Sequence, residues 1–305
     1  MDGAARALAL CVAPDDHSLL IGADFWPRSV DRRRPGLDAW PQGRFQTIAL
    51  RLPKAREELL MLCHAGAGAL TDGGTLYLFG ENGEGIGSAG RVLGEVFDAV
   101  ETVLTKFHAR VYAARGPRDG IRAHLANWRT TFAFEADGAR FEHARYPGVF
   151  ASARLDAGTG FLLENLPPLN GKVLDFACGS GPIAQILAAR HPDARFTLAD
   201  IDALALAAAR ENVPGAEVHQ IARLTDLPAA KFDAIVCNPP IHQGVAQSFA
   251  VLREFLAAAP DYLAKGGEMF LVVQRTVPVA KLAGTLTVRK HAANEAFTVW
   301  AVRAR

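Results

Sequence analysis

Residues 172–200 read KVLDFACGSGPIAQILAARHPDARFTLAD, and the fold is decided here. The run 172–176 is short and apolar and stops at a glycine turn, the pattern of a buried strand. Residues 182–190 follow with helical spacing, and Pro182 stands in the first turn, where its missing N–H costs nothing. Residues 195–199 form a second strand. Strand, glycine turn, helix and strand in so short a span make a βαβ unit, which implies parallel strands.

Toward the carboxyl end the pattern continues. An alanine-rich helix is expected over 203–212, a third strand over 217–221, and a fourth over 232–237, stopped by Pro239-Pro240. A helix over 247–259 carries Phe249, Leu252, Phe255 and Leu256 on one side. A fifth strand, 268–273, follows the turn Gly266-Gly267, and 282–290 with 295–302 reads as a closing antiparallel pair. The expectation is an α/β domain with a seven-stranded, mostly parallel sheet and right-handed crossovers.

Upstream, strands are predicted over 47–52, 75–79 and 109–113, with helices over 56–62 and 89–107. This is a second α/β domain without an acidic residue and glycine fingerprint at a strand end. The glycine-rich stretch 80–90, GENGEGIGSAG, lacks the Lys-Ser/Thr of a phosphate-binding loop and reads as a surface turn. Residues 131–146 alternate as a hairpin around Asp137-Gly138 and are expected to join the halves. The domains are therefore drawn at 1–130 and 131–305.

A chain of 305 residues suits about two domains, and a hydrophobic fraction of 50 % excludes a disordered chain. Lys and Arg number 33 against 32 Asp and Glu, a balance that holds in each half and excludes a strongly basic nucleic-acid coat. Any nucleic-acid contact must come from local patches, for which Arg28, Arg32, Arg33 and Arg34, and Arg115, Arg118, Arg122 and Arg129, are candidates. Cys11, Cys63, Cys178 and Cys237 form no CxxC pair, which argues against a zinc site and a disulfide framework. Charges interrupt the first twenty residues, and no apolar run approaches the roughly 20 residues that cross a bilayer. The expectation is a cytoplasmic protein with no metal and no membrane association.

Chemistry concentrates in Asp175-Phe176-Ala177-Cys178-Gly179-Ser180-Gly181, between strand and helix. Gly179 and Gly181 let the backbone turn sharply and approach a ligand where a Cβ would clash. Asp200, followed by Ile201, ends the next strand about 20 residues on, where an acidic residue can take both ribose hydroxyls. Gly179-x-Gly181-x-x-Ala184 also satisfies a dinucleotide fingerprint, so a nicotinamide cofactor competes. Asp175 would repel a pyrophosphate but welcome a cation, which favours S-adenosylmethionine, with its ammonium and sulfonium.

Asn238-Pro239-Pro240-Ile241 follows the fourth strand, where open α/β sheets bind ligands. The Asn238 side-chain oxygen and the Pro239 carbonyl can each accept a hydrogen from one planar NH2 group. Proline stiffens the loop and aims that carbonyl. Gripping both hydrogens points the nitrogen lone pair at a methyl donor without a strong base.

These motifs make the sequence similar to the class I S-adenosylmethionine-dependent methyltransferases, specifically the "small" methyltransferases acting on guanine N2 of ribosomal RNA. The matching segments are Pro147-Gly148-Val149-Phe150, Leu155-Asp156-x-Gly158-Thr159, GKVLDFACGSG, LADIDALALAAAREN and FDAIVCNPPIHQG, with RLPKAREEL and GENGEGIGSAG in the first half. The resemblance implies two Rossmann-like domains, the first a degenerate methyltransferase fold that helps dock RNA. It implies that Phe150, Asp156, Gly158 and Thr159 line the methionine end of the cofactor site, and it places Asp226 near the adenine. The cofactor set thus comprises these five with Asp175, Ala177, Cys178, Gly179, Gly181, Asp200, Ile201 and Asn238. The family has an aromatic residue after the second proline to stack on the target base, and here it is Ile241. His242 beside it could hydrogen-bond the base or simply be solvated.

The implied partner is ribosomal RNA or the small ribosomal subunit. Adenine N6 or a protein glutamine amide is an alternative target, since Asn-Pro-Pro serves planar amines in general. A nicotinamide-dependent oxidoreductase and an inactive RNA-binding assembly module are the other readings.

Overall fold

The computed structural model describes residues 38–149, 154–240, 246–284 and 286–303, together with the backbone of two short strands nearer the amino terminus. The chain divides into two compact units, Met1–Thr130 with Tyr146–Gly148, and Thr131–Arg145 with Val149–Arg305.

Among the described residues, the first unit holds β1 (Ala7–Leu10), β2 (Asp24–Trp26), β3 (Phe45–Arg51), α1 (Arg56–Ala69), β4 (Leu70–Glu81), α2 (Ile86–Val96), β5 (Phe97–Lys106) and β6 (Ala109–Pro117). Its sheet runs β2-β1-β3-β4-β6-β5, parallel except for β6. Two expectations fail here. Residues 97–106 are a strand rather than the end of a helix. The β-branched Val100, Thr102, Val103 and Thr105 favour extended backbone, and a turn through Phe107 and His108, both at positive φ, folds β5 back on β6. The glycine-rich stretch is a turn only as far as Gly85, at φ 90°, after which α2 begins. Gly90 lies on α2 because a Cβ there would come 3.1 Å from the Tyr112 ring.

The second unit holds β7 (Thr130–Ala136), β8 (Ala139–Arg145), α3 (Ala157–Glu164), β9 (Lys172–Phe176), α4 (Pro182–Arg190), β10 (Arg195–Asp200), α5 (Ala203–Asn212), β11 (Glu217–Gln220), β12 (Phe232–Cys237), α6 (Ala246–Tyr262), β13 (Leu263–Gln274), α7 (Val279–Leu282), β14 (Val288–Ala293) and β15 (Phe297–Arg303). Its seven-stranded sheet runs β11-β10-β9-β12-β13-β15-β14, with β15 alone antiparallel to its neighbours. The closing pair starts at Val288, not at 282, because Val279–Leu282 form a helical turn that buries Val279 and Leu282. The hairpin β7–β8 clusters with this unit from Thr131 to Arg145.

Among the described residues the two strand orders match position for position, with one edge strand fewer in the first unit. In that correspondence β3 takes the place of β12, so Leu52-Pro53-Lys54 stands where the second unit has Asn238-Pro239-Pro240. Leucine has no amide with which to grip an amine.

The central strands are buried on both faces, hence their unbroken apolar runs. Leu174, Ile235, Leu252, Phe255 and Leu256 belong to the core on one face, and Val173, Ile183, Leu187, Val236 and Phe270 to the core on the other. The predicted apolar side of α6 lies here, with Phe255 stacked on Phe176 at 4.6 Å between ring centres. This packing fixes the height at which Phe176 and Cys237 release their loops at the sheet's upper rim. No helix among the described residues is long and apolar enough to cross a membrane.

Candidate active site

The loop after β9 turns through three residues at positive φ: Ala177 at 57°, Gly179 at 55° and Gly181 at 82°. A Cβ on Gly181 would meet Leu198, Val213 and Ala209 at 3.1–3.5 Å, so packing as well as conformation demands glycine there. A Cβ on Gly179 would meet nothing within 4 Å, because that residue faces open space. Asp175 is fully buried and accepts a hydrogen bond from the Ala184 N–H (3.2 Å) in the first turn of α4. It does for this helix what a side-chain cap would, since the cap residue itself is Gly181. Its other oxygen, Oδ1, is buried with no hydrogen-bond partner. Burial lifts the Asp175 carboxyl to about 8, against the bond from Ala184 and with help from the charge of Asp200. A cation beside Oδ1 would reverse that.

Asp200, at the end of β10, accepts the Gly179 N–H at 2.8 Å and the Asp202 N–H at 2.9 Å. Burial raises its carboxyl while these N–H groups lower it. The carboxylate thus ties the glycine loop to the next strand and keeps a lone pair on each oxygen for further donors. Ile201 beside it is 40 % exposed, an apolar surface at the rim that a flat ring could cover. Asp226 ends a short turn before β12 and is held by Arg223. Its carboxylate accepts the Arg223 N–H (3.0 Å) and guanidinium (2.9 Å), and Arg223 also reaches Glu254.

Asn238 leaves the end of β12 half-buried. Its Nδ2 donates to Asp156 Oδ2 at 3.0 Å and to Thr159 Oγ1 at 2.9 Å. Asp156 in turn caps α3 by accepting the Thr159 N–H at 3.0 Å. Gly158 permits the close approach, since a Cβ there would come 3.1 Å from Asp156 Oδ2 and 3.3 Å from the Phe297 ring. A carboxylate only accepts hydrogen bonds, so the amide must turn its NH2 toward Asp156. The carbonyl end therefore faces away, and among the described residues Oδ1 has no donor.

A narrow cavity of about 70 Å³ opens among these groups, lined by Asp156, Thr159, Ala177, Cys178, Gly179 and Asn238, and also by Phe132, Phe134 and His143 of the hairpin. A larger groove of about 550 Å³ lies at the opposite edge, among the first residues of the strands (Lys172, Arg195, Glu217 and Phe232), and holds none of the site groups.

The hairpin residues were not anticipated. His143 is buried and bonded through Nδ1 to Gln185 Oε1 (2.7 Å) and through Nε2 to Ser180 Oγ (2.8 Å). The Gln185 NH2 is committed to the Glu142 carbonyl, so its oxygen faces the ring and Nδ1 carries the proton. Nε2 is then an acceptor, and burial lowers the pKa of the imidazole. Asn212 completes the joint by bonding both backbone groups of Ala144 and the Ser180 carbonyl. Only a pairing of residues some forty to seventy positions apart would have revealed it.

Cys178 and Cys237 flank the site with thiols that burial raises well above their usual range, so they are packing groups. Phe150, Ile241, His242, Arg28, Arg32, Arg33 and Arg34 lie outside the described residues. Arg115 pairs with Glu101, Arg118 with Asp98, and Arg122 stacks on Trp128 at 3.4 Å. These three candidate RNA contacts are engaged within their own unit, and Arg129 also has contacts.

The methyltransferase small domain matches residues 141–301, and its N-terminal companion domain matches residues 30–132. The ribosomal RNA small subunit methyltransferase C of Hahella chejuensis is 36 % identical over 255 residues, 82 % of this chain and 72 % of that protein. Its namesake in Shewanella amazonensis is 31 % identical over 270 residues, 86 % and 78 % of the two chains. Among solved structures, a Thermus thermophilus 16S rRNA N2 G1207 methyltransferase with AdoMet and guanosine shares the fold. Its TM-score is 0.79 at 21 % identity, covering 100 % of this chain and 89 % of that one.

Proposed function

Because this chain belongs to the methyltransferase small-domain family, among the proteins named ribosomal RNA small subunit methyltransferase C, we propose that it methylates guanine N2 in small-subunit ribosomal RNA. The enzyme is an S-adenosylmethionine-dependent methyltransferase, and the oxidoreductase and inactive-module readings lapse. A ribosomal RNA substrate puts its work in the cytoplasm.

S-adenosylmethionine, when bound, supplies an electrophilic methyl group on a positively charged sulfur. The residues present fit it. Oδ1 of Asp175 is a buried acceptor without a partner, Gly179 faces open space, and Ile201 offers an apolar surface next to Asp200. Asp175 would complement the cationic end, Asp200 would take the ribose hydroxyls, and Ile201 would cover one adenine face.

The single observation that carries the catalytic assignment is the fixed orientation of Asn238. With Nδ2 held by Asp156 and Thr159, Oδ1 is presented to accept one hydrogen of the target amine. The Pro239 carbonyl accepts the other. Gripped at both hydrogens, the amine keeps its lone pair out of conjugation with the base and directed at the methyl group. Such positioning lowers a barrier by as much as ~7–11 kcal/mol in favourable cases. A paired guanine must first leave its stack, at a cost of a few kcal/mol.

The test is methylation with labelled cofactor of 16S rRNA, assembled small subunits, DNA and release factor, followed by nucleoside mass mapping. N2-methylguanosine in the ribosomal pools is the expected product. Label confined to adenine or to protein would overturn the target.

A further inference from the structure

A second groove of about 650 Å³ lies on the α6 face of the second unit's sheet, lined by Arg275, Lys281, Lys290, Glu295, Thr298 and Trp300. Its position follows from the strand register. Cys237 pairs with Leu271 across β12 and β13, so Asn238 leaves the sheet level with Val272. Arg275 follows the last residue of β13, three positions and roughly 10 Å further up. The Arg275 N–H donates to the Ala296 carbonyl at 2.9 Å, which pins it to the tip between β14 and β15. Lys281 comes from α7 and Lys290 from β14, the latter with its ammonium 5.7 Å from the centre of the Trp300 ring. Trp300, 8 % exposed, is a firm floor rather than a stacking platform.

The groove gathers three cations and one carboxylate. Several described arginines are neutralised: Arg115 by Glu101, Arg190 by Asp137, Arg223 by Asp226 and Glu254, and Arg289 and Arg303 by Glu268. Among the described residues, Arg275, Lys281 and Lys290 form no ion pair, and Glu295 is the only carboxylate in the groove lining. In a chain of net charge +1, three unpaired cations around one concavity on the active-site side suit a polyanion. We propose that this groove holds the phosphodiester backbone of the RNA strand next to the nucleotide presented to Asn238. The proposal rests on the RNA reading above and adds the path of the strand.

The test is binding of a ribosomal RNA fragment, over a range of salt concentrations, to the full chain and to the triple variant Arg275→Gln, Lys281→Gln, Lys290→Gln. Each single-strand phosphate contact contributes about 0.7 to the slope of log affinity against log salt. The triple variant should have a slope shallower by about 2 and bind on the order of a hundredfold more weakly at 0.1 M salt. S-adenosylmethionine affinity and kcat at saturating RNA should stay within about twofold of wild type, while KM for RNA rises. Arg289→Gln, on the same strand but paired to Glu268, should leave the slope unchanged. Should the triple variant fail to bind the cofactor, Lys281→Gln alone is scored, with an expected slope change of about 0.7. An unchanged slope, or an equal change in Arg289→Gln, overturns the groove. Methylation of DNA or protein, with RNA binding intact, would instead overturn the target and leave the groove standing.

Discussion

The side-chain amide of Asn238 donates to the carboxylate of Asp156 at 3.0 Å, and this bond decides which end of the amide is offered to a substrate. An asparagine alone could present either end. A carboxylate behind it leaves one.

The first prediction concerns that pair. Asn238→Ala should lower kcat by a hundredfold or more, on the order of 3 kcal/mol, with RNA and cofactor affinity retained. Thr159→Val removes one of the two acceptors behind the amide without touching the helix cap, and should lower kcat by roughly tenfold at unchanged KM. Steady-state kinetics on rRNA check both. Equal kcat in the wild type and Asn238→Ala would remove the residue from catalysis.

Cofactor binding should release a proton. In the ligand-free folded protein Asp175 stays protonated up to about pH 8, whereas in an unfolded chain it ionises near 4. Between those values the folded state holds the additional proton, so this group's contribution to stability declines as pH rises from about 4 to about 8 and is constant above. A cation bound beside Oδ1 favours the carboxylate. Calorimetry at pH 7 in buffers of different ionisation enthalpy should therefore detect close to one proton released per site, less above pH 9 and none in Asp175→Asn. A buffer-independent heat would contradict the assignment.

The two loop glycines should fail in different ways. Gly179→Ala meets no atom and pays only for its left-handed backbone, about 1–2 kcal/mol, so the fold survives while cofactor affinity drops. Gly181→Ala adds contacts at 3.1–3.5 Å and should lose several degrees more of melting temperature. Thermal unfolding and cofactor titration separate them. A reversed order would contradict the open space drawn at Gly179.

His143 should make stability pH-dependent on the acid side. Its folded pKa is lowered by burial, so below about pH 6.5 the unfolded chain takes up the proton first and stability falls with pH until the folded pKa is passed. His143→Leu leaves Gln185, Ser180 and Asn212 short of a partner and should cost about 1–3 kcal/mol at neutral pH. Denaturant titrations at pH 5.5 and 7.5 compare the two proteins. The variant should lose less stability than the wild type over that interval.

The second unit was largely legible because its elements are local. Buried strands between turn residues give apolar runs of the right length, and the strand over 232–237 and the helix over 182–190 fall where the pattern puts them. The helix expected over 89–107 stops at Val96 because the apolar spacing beyond it suits either period, and pairing with β6 decides between them. Among site residues, Asp175 was legible as an acid before a glycine loop. Its partner in α4 was not, because a carboxylate at a strand end can face a ligand or a helix with equal local preference.

By itself, then, the sequence determined the alternation of strands and helices, the glycines that need left-handed backbone and the amide-proline pair at a strand end. These depend on neighbours along the chain. Only the tertiary structure decided which way the Asn238 amide faces, that His143 and Asn212 bolt a hairpin to the glycine loop, and which cations lack a carboxylate. Each of those is a hydrogen bond or ion pair between groups far apart in sequence, and its sign and direction exist only once the partners meet.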